Sequence, residues 1–231
     1  MYASLLQDTV PRVREAIAEA AARVGRDGAG VALVAVTKGH PLEAVRAALE
    51  AGLTDLGENR VGELEEKASR VPRQGVRWHM VGHVQRRKVP RVIDLADLVH
   101  SVDSVRLAER ISRVAREIGR DVDVLFQVNA SGEEAKYGFD PDEALDRIPE
   151  AAGLPRLRAR GLMTMAPWTA DEKVLRRAFG RLRELGEQLR AERPDFGPEL
   201  SMGMTNDLGV AVEEGSTMVR IGTALFGERR A

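Results

Sequence analysis

Lys38 closes the apolar run VALVAVTK (31–38) and is followed by Gly39 and His40. A lysine amine attacks aldehydes once desolvation or a nearby positive charge lowers its pKa. The same residue also suits a solvated rim position, its stem on apolar neighbours and its head in water. The far end of the chain bears on the choice. In MVRIGTALFGERR (218–230), Gly222 lets backbone approach a ligand, and Thr223 offers a hydroxyl and an N–H at a helix start. The preceding SMGMTND (201–207) adds a second small hydroxyl and another glycine. Two such turns are either a phosphate cradle or two tight connections without a ligand. Arg220 stands two residues before Gly222, so both point to one side of their strand. An inward arginine needs an anion or an acceptor, and a carboxylate such as Asp207 or Glu214 would also serve. Taken together, an amine, a phosphate cup and an arginine suit an aldehyde that carries a phosphate.

These groups need a scaffold that brings strand ends together. Eight short β-rich segments alternate with helical patterns, at 31–37, 53–57, 76–82, 97–102, 121–129, 157–164, 199–203 and 218–222. Between them, PLEAVRAALEAG (41–52) places Pro41 at the first helical position and Gly52 just past the end. SVRLAERISRVAREIG (104–119) repeats the scheme, with Asp103 as the expected N-cap and Gly119 as terminator. Alternating βα units imply a parallel sheet, and eight of them predict a closed (β/α)8 barrel with one extra N-terminal helix. A doubly wound open sheet is the rival, because periodicity does not prove closure. The expectation is one domain over 1–231. In such a barrel, chemistry sits at the C-terminal strand ends, and a phosphate often lies after strands seven and eight.

Composition removes other functions. The chain has 231 residues, a formal charge of −1, 31% charged residues, 43% hydrophobic residues and no cysteine. Thiolate metal sites, disulfides and cysteine nucleophiles are excluded. The balanced charge and 4% aromatics argue against nucleic acid. No stretch predicts a membrane span or a secretion signal, so a cytoplasmic protein is expected.

Pyridoxal 5'-phosphate (PLP) carries both an aldehyde and a phosphate, with a ring nitrogen that accepts a hydrogen bond. The chain resembles the YggS/PROSC family of PLP-binding proteins through LVAVTK (33–38), GENRVGE (57–63), WHMVGHVQRRK (78–88), HSVDS (100–104) and VNASGEEAKYGF (128–139). GLMTMAP (161–167), SMGMTND (201–207) and GSTMVRIGTALFG (215–227) continue the match in register. The resemblance implies a relative of the alanine racemase barrel with a role in vitamin B6 homeostasis. It makes Lys38 the residue that holds PLP as an internal aldimine. Ser201, Gly222 and Thr223 match positions that hold the phosphate, with Met202 beside it. Arg220 matches the arginine facing the pyridine nitrogen, and Asn59 matches a polar residue near the cofactor. An arginine there stays charged and leaves the ring nitrogen unprotonated, so carbanion chemistry is disfavoured.

Other residues have plainer readings. His79 and His83 lie on a strand and its turn, which predicts a satisfied core histidine and a loop donor rather than metal ligands. Tyr137 is read as a packed loop aromatic, with an acid–base role as the alternative, and Lys136 as a solvated amine. Met163 and Met165 suit packing around the mouth. The leading expectation is a non-catalytic, monomeric PLP carrier with PLP-requiring apoenzymes as recipients. The alternatives are a single-domain amino-acid racemase and a Schiff-base aldolase acting on a phosphorylated sugar.

Overall fold

The structure is a computed structural model that describes residues 1–131 and 137–228. Eight parallel strands close in sequence order: β1 (Ala32–Val36), β2 (Asp55–Glu58), β3 (Arg77–Met80), β4 (Leu98–Val102), β5 (Val122–Gln127), β6 (Leu157–Met163), β7 (Glu199–Ser201) and β8 (Met218–Ile221). Closure is made by β1 against β8, with Ala32 paired to Met218 and Ala35 to Ile221. This is the closed barrel and not the open sheet.

Strand alternation divides the core in two. Leu33 and Ala35 face outward into the sheath, while Val34 and Val36 face the barrel interior. Inside, they meet Leu98, Leu125, Met163 and Met218 in a separate apolar cluster. Burying one such side chain contributes about 1.5–3 kcal/mol. The interior filling ends below the mouth, where Lys38, two residues past the end of β1, lines the cavity.

Helices α1 (Tyr2–Arg23), α2 (Leu42–Glu50), α3 (Val61–Ala68), α4 (Val89–Leu95), α5 (Val105–Glu117), α6 (Ala144–Ala152), α7 (Glu172–Glu192), α8 (Leu208–Glu213) and α9 (Thr223–Phe226) cover the outside. The extra N-terminal helix is α1, whose Leu6, Val10, Val13 and Ile17 face the barrel at helical spacing.

Two helix starts differ from expectation by one residue. Pro41 is the N-cap of α2, in extended conformation, and not its first helical residue. Ser104, not Asp103, caps α5, because its extended backbone aims Oγ at the Leu107 N–H, 3.4 Å away. Asp103 turns instead to His83. The terminators stand as expected, with Gly52 at φ +77° and Gly119 at φ +68°.

Candidate functional site

The strand ends surround a cavity of about 880 Å³. Of the seven expected ligand-binding residues, Lys38, Asn59, Arg220, Gly222 and Thr223 line it. Ser201 and Met202 do not: both are fully buried, Ser201 inside the barrel and Met202 in the outer sheath. The hydroxyl of this loop that reaches the cavity belongs to Thr205, which sequence reasoning passed over. Its Oγ1 accepts from the Ala224 N–H at 3.3 Å, joining the β7 loop to the turn after β8. Gly203 produces the shift: at φ +98°, with Ala211 Cβ 2.7 Å from where its own Cβ would stand, it turns the chain so that Thr205 rises.

Lys38 is held by its neighbours. The Thr37 carbonyl accepts from Lys67 Nζ at 2.7 Å, and the Gly39 N–H donates to Glu63 Oε2 at 2.6 Å. The peptides on both sides of Lys38 are therefore pinned to α3. Glu58 ties the clamp together, accepting from the Thr37 hydroxyl at 2.5 Å and from Lys67 Nζ at 2.6 Å. Burial pushes the Glu58 carboxyl up despite those two bonds. Its other oxygen, Oε2, has no partner among the described residues. None of Glu58, Glu63 and Lys67 was a site expectation. The only sequence signal was their place in and just after GENRVGE. Asn59 is fixed by close backbone contact, since a Cβ on Gly82 would lie 2.2 Å from its carbonyl oxygen.

Arg220 stands two residues after Met218 of the apolar cluster, paired with Val34, and is almost fully buried. It donates to the Ser201 carbonyl and Oγ, each at 2.7 Å, and to the Thr164 carbonyl at 2.9 Å. Neither suggested carboxylate pairs with it. Glu214 is taken by Arg183 at 2.8 Å and Arg176 at 3.3 Å, and Asp207 accepts from the Met204 N–H. Burial lowers the Arg220 pKa to about 10, offset in part by the charge of Asp207. At neutral pH it remains a cation.

Under Arg220 lie His79 and His100, both fully buried, with ring nitrogens 2.8 Å apart. Burial lowers the pKa of both, further for His100 because the charges of His79, Arg220 and Arg77 add to it. Their folded pKa values lie below the ordinary value near 6.5, so the unfolded chain takes up protons first as pH falls. Their stabilising contribution is complete above about pH 6.5 and declines below it, by up to ~1.4 kcal/mol per histidine per pH unit. Urea unfolding between pH 7.5 and 5 is expected to show this decline, and H100N to flatten it.

At the rim, His83 Nδ1 is 3.0 Å from Asp103 Oδ2, and Tyr137 stacks on the His83 ring at 4.2 Å. Tyr137 is 60% exposed. Lys136 lies outside the described residues. No group of three or more potential metal ligands occurs among the described residues.

Comparison with known proteins decides the family. Residues 11–230 match the family described as alanine racemase, N-terminal domain. A pyridoxal phosphate homeostasis protein from Pseudomonas aeruginosa is 42% identical over 228 residues, 98% of this chain and 96% of that one. The chain belongs to the pyridoxal phosphate homeostasis branch of the alanine racemase N-terminal domain family. Family members include PipY of Synechococcus elongatus, solved with PLP bound, which is 35% identical with a TM-score of 0.80. That alignment covers 93% of this chain and all of PipY. A protein of unknown function from Bifidobacterium adolescentis superposes with a TM-score of 0.92 at 39% identity, covering 97% of this chain and 96% of that one. The homeostasis members are named for maintaining a cofactor and not for a reaction.

Proposed function

We propose that this chain binds PLP and holds it without catalytic turnover. The observation that carries the reading is that Lys38, Arg220 and the Thr205–Thr223 turns line one cavity. These groups fit the three functional ends of PLP. Lys38 supplies an amine for the aldehyde. Arg220 has five N–H donors, three of them bonded to protein, which leaves two for a ring acceptor. Thr205, Thr223 and the backbone at Gly222 supply the hydroxyl and amide donors that a phosphate needs. Asn59 lies beside Lys38 on the same wall. The relative solved with PLP bound supports the reading.

PLP itself supplies a reactive aldehyde that condenses with a lysine as a Schiff base and an aromatic ring able to draw in electrons. The protein determines which of these capacities is used. The α3 clamp fixes the backbone at Lys38, so the amine is presented from a defined point. Arg220, a cation at neutral pH, would donate to the ring nitrogen without releasing its proton and so keep the ring a weak electron acceptor. Phosphate donors in the turns after β7 and β8 would orient the ligand across the mouth. The hydroxyl of Thr205 makes one such contact, and T205A is expected to weaken PLP binding about tenfold or more with little change in stability. Equilibrium dialysis and urea unfolding measure the two.

The full reading is a cytoplasmic, monomeric, one-domain carrier that keeps free aldehyde low and passes PLP to apoenzymes. No helix among the described residues is long and apolar enough to cross a membrane. Racemisation is the second reading, favoured by Tyr137 and His83 at the mouth, because it needs an acid–base group on each face of the substrate. The test is to purify the protein, record its colour, and assay interconversion of alanine and serine enantiomers. The carrier reading expects a yellow protein without turnover. Turnover abolished by Y137F would establish the racemase instead, and a colourless protein that takes up no added PLP would refute both.

A further inference from the structure

One chain of hydrogen bonds crosses the barrel interior from Arg220 to the opposite end. Arg220 donates to Ser201 Oγ at 2.7 Å, and Ser201 Oγ lies 2.9 Å from His100 Nδ1. His100 Nε2 is 2.8 Å from His79 Nδ1, and His79 Nε2 is 2.9 Å from Asp55 Oδ1. Asp55 is the first residue of β2 and so sits at the end of the barrel away from the mouth, where its side chain is 27% exposed.

The proton positions along this chain follow from its two ends. Guanidinium only donates, so Ser201 Oγ accepts from Arg220, and its own proton is free to point at His100 Nδ1. His100 Nδ1 is then an acceptor, and Nε2 carries the proton toward His79 Nδ1. From the other end, a carboxylate only accepts, so His79 Nε2 carries a proton and Nδ1 is left as an acceptor. The carboxylate end fixes the tautomers of two neutral rings, and the Arg220 end is compatible with them. Each imidazole is neutral with its proton on Nε2, and every bond runs in one direction, from Arg220 to Asp55. An added proton on either ring breaks a bond.

The arrangement needs an explanation because apolar residues fill the rest of the interior. Two buried histidines and a buried cation are costly there unless each polar atom is matched. Arg220 has no ion-pair partner among the described residues, and hydrogen bonds aligned in one direction polarise one another. We propose that Ser201, His100, His79 and Asp55 form a positioning relay that orients Arg220 and ends on a carboxylate at the far end of the barrel. This rests on the PLP reading of the cavity, where Arg220 meets the ring nitrogen. In the relay the four residues touch no ligand and act through Arg220. The buried Ser201 thereby gains a role that differs from direct phosphate contact.

The test compares wild type, D55N and S201A. Asparagine still accepts from His79 through Oδ1 but carries no charge, and position 55 is exposed enough to tolerate it. In the unloaded protein, 15N NMR of the imidazoles should show two neutral rings protonated at Nε2 above pH 6. In the loaded protein, D55N and S201A should keep the adduct on Lys38 while PLP binding weakens about tenfold and the absorption band shifts. A change of band from a substitution at the opposite end of the barrel is not expected of a purely structural residue. Rings protonated at Nδ1, or variants with wild-type band and affinity, would overturn the relay. If wild type forms no adduct on Lys38, the PLP reading fails, and the NMR result still decides the relay.

Discussion

Replacing Lys38 with alanine is expected to abolish the absorption of the lysine–PLP adduct while leaving the fold intact. The side chain is half-buried at the mouth, and the contacts that order its backbone come from Lys67, Glu63 and Glu58. Those contacts involve the backbone of residues 37 and 39 and the Thr37 hydroxyl, which the substitution leaves in place. Unfolding free energy should therefore stay within about 0.5 kcal/mol of wild type. Loss of the imine removes one of three attachment points. Arg220 and the Thr205–Thr223 donors remain, so PLP should still bind K38A reversibly and more weakly. Absorption spectra, equilibrium dialysis and urea unfolding on one preparation separate the three effects. A K38A protein that keeps the adduct band would mean that another amine carries the aldehyde.

The second large effect is expected at Lys67, which sequence reasoning did not select. Its Nζ is nearly fully buried against Glu58, whose side chain is fully buried. Removing one partner of such a pair leaves an uncompensated charge in a low-dielectric site, and typically costs about 3–5 kcal/mol. K67M keeps length and apolar contact while deleting the ammonium, so it isolates the electrostatic loss. It also deletes the bond to the Thr37 carbonyl, so the peptide before Lys38 is released and PLP occupancy should fall. The double variant E58Q/K67M removes both charges and should recover a large part of the lost stability. Its PLP occupancy should stay low, because the Thr37 carbonyl still lacks its donor. Thermal unfolding with and without PLP measures both. If K67M unfolds like wild type, the clamp is not what fixes Lys38.

The sequence carried the barrel because period-two strands and period-3.6 helices alternate in a chain of suitable length. The same alternation placed Arg220 and Gly222 on one side of their strand. It stopped being informative where regular structure stops. SMGMTND contains two hydroxyls, and the choice between Ser201 and Thr205 depends on the left-handed turn at Gly203. The Lys67 clamp was hidden for a different reason. Glu63 and Lys67 stand four apart, a spacing that on most helices marks a solvated face. Only the packing of α3 on β2 and β3 buries it. Likewise His79 was legible as a core residue, but its bond to His100 depends on which interior positions face each other. Asp103 was displaced as a cap because His83 offers it a partner across the rim.

Borohydride reduction of the protein loaded with PLP, followed by peptide mass mapping, identifies the amine that holds the aldehyde. Reduction turns an imine into a stable secondary amine and so records which nitrogen held the aldehyde. A single pyridoxyl group is expected, on the peptide containing Lys38, absent from K38A. An adduct on Lys67, Lys88, Lys136 or Lys173 in place of Lys38, or no adduct at full PLP loading, would contradict it.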